Sequence, residues 1–133
     1  MIKAVISGSY HKDNEGLAVL FKELETCGVQ VLSPLSVEFL DSTEPVVKSV
    51  HESALDISAL EQFHLRAIRE ADVLFVHAPH GYVGISTSFE IGYAVSRHVP
   101  VVSLITPLDE MLQTVITEGT HVFDVLSKLG LIK

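Results

Sequence analysis

The sequence has a single cysteine among 133 residues, and its few basic residues form no cluster. Cys27 has no second cysteine to pair with in the chain, so a disulfide framework is excluded and a reducing, cytoplasmic location is expected. The nine Lys and Arg residues are scattered among seventeen Asp and Glu residues, for a formal net charge of -8. A nucleic-acid polymer or an anionic membrane requires clustered cations, so neither is expected as a partner. A small anionic ligand needs only one local group of hydrogen-bond donors and stays open.

Long hydrophobic runs are also missing. No apolar run reaches the length of a membrane span or of a secretory core, although 47% of the residues are hydrophobic. The apolar residues occur in short groups instead. We therefore expect residues 1–133 to fold as one domain with a buried core.

Four of these groups are nearly continuous in apolar residues, as is typical of strands covered on both faces of a parallel sheet. They are KAVISG, VQVLSP, ADVLFVHAP and PVVSLI. Apolar residues at helical spacing occupy residues 14–28, 58–71 and 87–98 between them. Alternating strands and helices predict right-handed βαβ units and an α/β fold. The expected architecture is a flavodoxin-like three-layer sandwich with four or five parallel strands in the order 2-1-3-4-5.

Turn and capping residues predict the helix ends. Asp13, with Asn14 and Glu15, marks the start of the first helix, and Gly28 marks its end. Cys27, beside this end, is interpreted as a core residue.

The boundaries in the rest of the chain are less regular. Ser58 and Glu61 form a capping-box pair that predicts the start of the second helix. A fourth helix is predicted over residues 106–119, and residues 121–133 contain an edge strand and a final helix that the pattern does not separate. Residues 35–57 form a long irregular segment that is interpreted as a hairpin, an excursion or a lid.

Glu90 is the most informative residue of the stretch GYVGISTSFEIGYA. One interpretation is structural, because Thr87 and Glu90 have capping-box spacing. The other is functional. Ser86, Thr87 and Ser88 place three hydroxyls at a helix start, which favours anions, and the preceding glycines permit close approach of a ligand. A carboxylate at the exit of the third strand lies where such sheets bind ligands, in the crevice between strands 1 and 3.

The stretch ADVLFVHAPHGYVGISTSFEIGYAVSRHVPVVSL resembles the core of the nucleoside 2-deoxyribosyltransferase family. That family has a strand that begins with Ala-Asp, a Gly/Ser/Thr loop, the motif Glu-x-Gly-x-Ala and a strand led by Pro-Val. Glu90, Gly92, Ala94, Pro100 and Val101 match this pattern in register. The exits of strands 1 and 2 are similar to those of the family as well.

The resemblance implies that Glu90 is a nucleophile. It would attack the anomeric carbon of a 2-deoxyribosyl group, release the base and form a glycosyl ester that water or a second base resolves. A helix N-terminus favours the ionised form that a nucleophile needs. The substrate-binding candidates are Gly8, Ser9, Tyr10, His80, Gly81, Gly84, Ser86, Thr87 and Ser88.

Two positions depart from the family pattern. Gly84 stands where the transferases carry an acidic residue, which makes the loop more similar to the related 2'-deoxynucleoside 5'-monophosphate N-glycosidases. His64 stands where the family has an acid that assists the leaving base, and an imidazolium can protonate a base nitrogen. The expected partner is a nucleoside or nucleotide, with no cofactor. A homo-oligomer is compatible with the family, whose members complete their pockets with a neighbouring subunit.

Two alternatives stay open. A catalytically inactive module would bind or sense a nucleotide in the same pocket, and the missing acidic residues favour it. A cytokinin-activating type of phosphoribohydrolase has a Gly-Gly-x-Gly-Thr-x-x-Glu loop that GYVGISTSFE matches only loosely. His77 and His80 have metal-ligand spacing, but no metal is expected because a strand-to-loop path need not bring the two side chains together.

Overall fold

The structure, a computed structural model, describes residues 1–8, 10–35 and 56–132. Within them, five parallel strands form one sheet in the order β2-β1-β3-β4-β5, which confirms the predicted fold class and strand order. The strands are β1 (Lys3–Gly8), β2 (Gln30–Ser33), β3 (Val73–His77), β4 (Val101–Ser103) and β5 (Ile116–Glu118). The α-helices are α1 (Asn14–Thr26), α2 (Ile57–Glu70), α3 (Ile85–Ser96), α4 (Glu110–Gln113) and α5 (Val122–Lys128). None of these helices is long and apolar enough to cross a membrane.

The sheet is buried between two layers of helices because alternate strand residues enter opposite faces. On β3, Val73 and Phe75 pack in a core cluster with α1 and α5. Leu74 and Val76 of the same strand pack in a second cluster with α2 and α3. Cys27, interpreted from the sequence as a core residue, is half-buried and packs against the first cluster. This three-layer arrangement gives each helix pair its own face of the sheet.

The predicted ends of α1 are confirmed. The Asp13 carboxylate accepts a hydrogen bond from the Gly16 amide at 2.9 Å and caps the helix. Gly28 follows the helix with a φ of 77°, a left-handed conformation that glycine adopts without steric cost.

The capping box predicted at Ser58 and Glu61 is wrong. Asp56 is the N-cap of α2, and its carboxylate accepts a hydrogen bond from the Ala59 amide at 2.7 Å. The helix therefore begins at Ile57, and the Glu61 side chain is not used at the helix start. The predicted irregular segment ends here; residues 36–55 lie outside the described part of the chain.

The capping box predicted at Thr87 and Glu90 is also wrong. The N-cap of α3 is Gly84, which has no side chain to accept a hydrogen bond, and Thr87 is the third helical residue. Glu90 lies in the second turn, beyond the free amides of the helix start. The structural interpretation of Glu90 therefore fails.

The helix predicted over residues 106–119 is largely replaced by other structure. Only Glu110–Gln113 is helical, and Ile116–Glu118 is the edge strand β5, paired with β4. The β-branched residues Val115, Ile116 and Thr117 favour the extended conformation that the pairing with β4 stabilises. The edge strand thus precedes the tail, where α5 is the only regular element among residues 121–132.

Candidate active site

A cavity of about 590 Å³ lies at the carboxyl ends of β1 and β2, between α2 and α3. Its lining residues are Gly8, Tyr10, Ser33, Pro34, Ile57, Leu60, Glu61, His64, Ile85, Ser86, Thr87, Phe89 and Glu90. We expected a crevice between β1 and β3. The third strand contributes instead through α3, the helix that follows it.

Glu90 lies in the wall of this cavity. Its side chain is only 8% exposed, and one carboxylate oxygen is 3.3 Å from Nε2 of His64. The side chains of Ser7 and Glu61 also interact with this carboxylate and act on its pKa. The carboxylate is therefore buried among side chains but borders a space large enough for a ligand.

His64 links the carboxylate to two serines. Its Nε2 is 3.1 Å from the Ser7 hydroxyl, and its Nδ1 is 2.6 Å from the Ser33 hydroxyl. The ring is buried between the last residues of β1 and β2 and helix α3. Each nitrogen therefore contacts a polar group of the protein, as a buried polar ring requires.

Glu61 and Glu90 form a carboxyl pair whose pKa values are shifted in opposite directions. Burial, the charge of Glu90 and a hydrogen bond to Glu90 raise the pKa of Glu61 from 4.5 to about 7, although His64 opposes this rise. Burial acts to raise the pKa of Glu90, but hydrogen bonds from His64, Ser7 and Glu61 and the charge of His64 outweigh it, so this pKa lies below 4.5. Near neutral pH, Glu90 is therefore ionised and Glu61 is partly protonated. Two carboxyls with such different pKa values are typical of an acid and a nucleophile.

The start of α3 provides hydrogen-bond donors at the other end of the cavity. Its first turn has no side-chain cap and no acidic residue, so the first amides of the helix are free to bind an anion. Ser86 and Thr87 line the cavity here. Thr87 is only 4% exposed, and none of the hydrogen bonds in the described part of the chain involves its hydroxyl.

The wall formed by β1 depends on a glycine. A Cβ at Gly8 would lie 2.3 Å from the carbonyl oxygen of His77, so a side chain is excluded where β1 and β3 meet. Tyr10 follows on a short 3-10 turn, half-buried, and its hydroxyl donates to the carbonyl oxygen of Ile6. Its ring borders the cavity, where it can contact a base or ribose. Ser9 lies outside the described residues.

Four other candidates do not line the cavity. His80 is exposed in a left-handed conformation with a φ of 56°, and Gly81 contacts the segment after β4, accepting a hydrogen bond from the Leu108 amide at 3.0 Å. Gly84 is the N-cap of α3, and the exposed Ser88 donates its amide to the Gly84 carbonyl. These residues shape the turn that leads into α3.

Sequence reasoning missed Glu61, Ser7 and Ser33. Glu61 and His64 are three residues apart on one helix, a spacing that places both side chains on one face and could have revealed the pair. The two serines are the last inward-facing polar residues of buried strands. Nothing in the sequence distinguishes them from core residues with satisfied hydroxyls.

His77 lies on the opposite face of the sheet from His64. Its Nε2 is 3.6 Å from the Asp13 carboxylate and 3.2 Å from the Asp13 carbonyl oxygen. Asp13 is therefore the acidic neighbour described for His77. Residues 1–8, 10–35 and 56–132 contain no group of three or more side chains placed to bind a metal ion.

Comparison with known proteins gives a fold neighbour and no family. No protein-family model matches the chain, and no curated protein matches it. The solved structure of the CMP N-glycosidase BcmB from Clostridium botulinum is similar, with a TM-score of 0.59 and 16% sequence identity, over 97% of this chain and 98% of that one. At this identity the likeness shows that the two proteins share a fold along nearly their whole lengths.

Proposed function

We propose that the protein cleaves the N-glycosidic bond of a nucleoside 5'-monophosphate by hydrolysis, with Glu90 as the nucleophile. The observation that carries this proposal is that Glu90, 3.3 Å from His64, lines a ligand-sized cavity together with Glu61. The lowered pKa of Glu90 and the pKa of about 7 for Glu61 suit a nucleophile and an acid. Cleavage of a glycosidic bond requires such a pair, one carboxylate to stabilise or attack the anomeric carbon and one acid to protonate the leaving group.

In the first step, a Glu90 oxygen forms a bond to the anomeric carbon as the bond from that carbon to the base nitrogen breaks. The electron pair of the broken bond stays on the base, and Glu61 supplies the proton that neutralises it. In the second step, Glu61, now ionised, takes a proton from water. That water attacks the anomeric carbon, releases Glu90 and restores both carboxyls to their starting states.

The phosphate end of the substrate is assigned to the start of α3. The free amides and the hydroxyls of Ser86 and Thr87 are donors suited to an anion, and the partial positive charge of the helix end adds to their attraction. The lining residues include no Lys or Arg, so the helix end is the principal anion-binding feature of the described wall. The apolar side chains of Leu60, Ile85 and Phe89 provide contact area for the base and sugar.

The fold neighbour supports the substrate class. BcmB is named as an N-glycosidase of CMP, which is a nucleoside 5'-monophosphate, and it shares the fold of this chain. The proposal for this chain rests on its own carboxyl pair, because a shared fold alone does not define an activity.

The proposed activity is tested by incubating the protein with common deoxynucleoside and ribonucleoside 5'-monophosphates and measuring free base by chromatography. We expect release from at least one of them, and no release by Glu90→Ala. Tight binding in calorimetry without release by the wild-type protein would contradict the proposal and favour a nucleotide-sensing module.

The phosphate assignment is tested by Thr87→Val, which removes a hydroxyl while keeping the shape of the side chain. A hydrogen bond to a charged group contributes about 1.5–3 kcal/mol, so KM for the best nucleotide should rise by about tenfold or more. The dephosphorylated nucleoside should show little change. Thr26→Val, which alters an exposed threonine of α1, is the matched control. Equal losses for nucleotide and nucleoside would place the phosphate elsewhere.

A further inference from the structure

Among the described side chains near Glu90, His64 makes the most polar contacts, with Glu90, Ser7 and Ser33. These contacts indicate a role other than proton donation to the base. We propose that His64 is a positioning residue that orients Glu90 and keeps it ionised, with its own ring fixed by Ser33. The inference deepens the proposed function, since it rests on Glu90 as the nucleophile. It assigns roles to His64 and Ser33 that follow from their contacts with each other and with Glu90.

The hydrogen-bond network determines which ring nitrogen carries a proton. An ionised Glu90 can only accept hydrogen bonds, so Nε2 of His64, 3.3 Å away, must donate. Nδ1 is 2.6 Å from the Ser33 hydroxyl, which can donate to it in the neutral ring and accept from it in the imidazolium. In either state Ser33 fixes the ring with Nε2 directed at Glu90. A histidine with both nitrogens engaged in this way has no free nitrogen to present to a leaving base.

Ser33 is well placed to hold the ring and poorly placed to react. It is the last residue of β2 and is 1% exposed. The order Ser33, His64, Glu90 has the composition of an acyl-transfer triad, but that chemistry requires backbone amides for the oxyanion, commonly including the one after the nucleophile. The next residue is Pro34, which has no N–H. Ser33 is therefore assigned to ring orientation.

The contact with His64 decides which carboxyl of the pair is ionised. Glu90 is buried and Glu61 is only half-buried, so burial alone would protonate Glu90 in preference to Glu61. The observed order is the reverse, because His64 and Ser7 stabilise the charge on Glu90. Without His64 the proton should move from Glu61 to Glu90, which would remove both the nucleophile and the acid.

The other titratable groups near Glu90 are few in the described part of the chain. Helix α2 contributes Glu61 and His64, and the turn after β1 contributes Tyr10, which lines the same cavity. On α3 itself, Tyr93 is half-buried one turn later and packs in the core. His77 of β3 faces α1 on the other side of the sheet. Glu61 and His64 are thus the groups that set the charge of Glu90.

The test is an NMR titration of the glutamate side-chain carboxyls, labelled with carbon-13, in the wild-type protein and in His64→Leu, His64→Gln and Ser33→Ala. Glu61→Gln and Glu90→Gln assign the two signals. In the wild type, Glu90 should titrate at lower pH than Glu61. In His64→Leu the order should reverse, with the pKa of Glu90 rising above that of Glu61.

The two milder variants give intermediate outcomes. His64→Gln keeps an N–H donor on a side chain of similar reach and should preserve the wild-type order. Ser33→Ala leaves the ring in place without its hydrogen-bond partner at Nδ1, and Glu90 should titrate between the wild type and His64→Leu. An unchanged Glu90 titration in a folded His64→Leu would overturn the inference; if that variant does not fold, an unchanged titration in Ser33→Ala does so.

Kinetics add a readout that separates positioning from proton donation. The kcat of His64→Leu should fall by about 100-fold with little change in KM, and His64→Gln should recover part of it. A substrate with a 4-nitrophenol leaving group needs no proton for departure. It should restore the first-turnover release of nitrophenol by Glu61→Gln, because only the first step uses Glu61 as an acid, and leave that of His64→Leu impaired; restoration of His64→Leu would show that His64 is the acid. If the wild type releases no base, the NMR titration still decides the inference, while the proposed function fails by itself.

Discussion

Two histidine–carboxylate pairs lie at the carboxyl end of the sheet, one on each face. His64 and Glu90 are 3.3 Å apart between α2 and α3, and His77 and Asp13 are 3.6 Å apart beside α1. Both histidines are buried. By residue type, distance and burial of the ring, the two pairs are nearly equivalent.

The surroundings of the two carboxylates differ. Asp13 is the N-cap of α1, so its carboxylate is already used by the Gly16 amide, and its side chain is 37% exposed. The partners described for Glu90 are all side chains, and a cavity of about 590 Å³ lies in front of it; the space beside the Asp13 pair is about 130 Å³. A histidine–carboxylate pair therefore indicates chemistry only where the carboxylate is free of the backbone and has room for a substrate.

Replacing each carboxylate by its amide should give the largest contrast between the two pairs. Glu90→Gln removes the nucleophile and should lower base release by at least about 1,000-fold. Asp13→Asn keeps a good helix cap and should stay within about twofold of the wild-type rate. Both rates are measured on the best nucleotide substrate at pH 6. Comparable losses in the two variants would mean that the pairs do not differ in function.

The fold could be predicted from the sequence because it depends on patterns that many residues share. The apolar runs define a parallel sheet, and a helix between successive strands restricts the strand order. Short elements were not predictable in this way. Residues 106–119 have apolar spacing compatible with a helix, and only the pairing with β4 converts Ile116–Glu118 into a strand.

The sequence points to part of the candidate site. A lone carboxylate after the third strand singles out Glu90, and hydroxyls at a helix start single out Ser86 and Thr87; the three residues line one cavity. Glu61 was assigned to a capping box, since the sequence does not show that Asp56 caps the helix instead. Ser33 of β2 contacts His64 of α2, and residues 36–55 separate these two elements in the chain. Local sequence patterns do not reveal contacts between such distant residues.

Glu61→Gln should give the second largest effect. This variant tests whether the two carboxyls differ in pKa. Loss of a general acid costs about 100-fold in kcat. In the wild type, activity should fall above about pH 7, where Glu61 loses its proton, and below pH 4.5, where Glu90 gains one. The variant should lose the fall above pH 7. The measurement is kcat/KM from pH 4 to pH 9.

Glu70→Gln, at the exposed end of the same helix, is the matched control for this profile. It should keep the wild-type rate and both limbs of the profile. The role of Glu61 as the acid would be contradicted if the wild-type profile had no fall near pH 7. It would also be contradicted if Glu61→Gln kept that fall.

The smallest expected effect concerns stability, where the two faces should respond to acid with opposite signs. Burial lowers the pKa of His77 below 6.5 despite the contacts with Asp13, so the unfolded chain binds this proton first and stability is lost as the pH falls through this range. The pKa of Glu61 is raised to about 7, so the folded protein binds its proton first and stability is gained on the same acidification.

Urea unfolding at pH 7.5 and pH 5.5 measures both signs. Relative to the wild type, acidification from pH 7.5 to pH 5.5 should leave His77→Gln with a larger gain or a smaller loss of stability. The same acidification should leave Glu61→Gln with a smaller gain or a larger loss. Each variant serves as the control of the other, because both replace a titratable side chain with the same amide. If both variants shift the pH dependence of the unfolding free energy in the same direction, the pKa values of His77 and Glu61 are not shifted in opposite directions by folding.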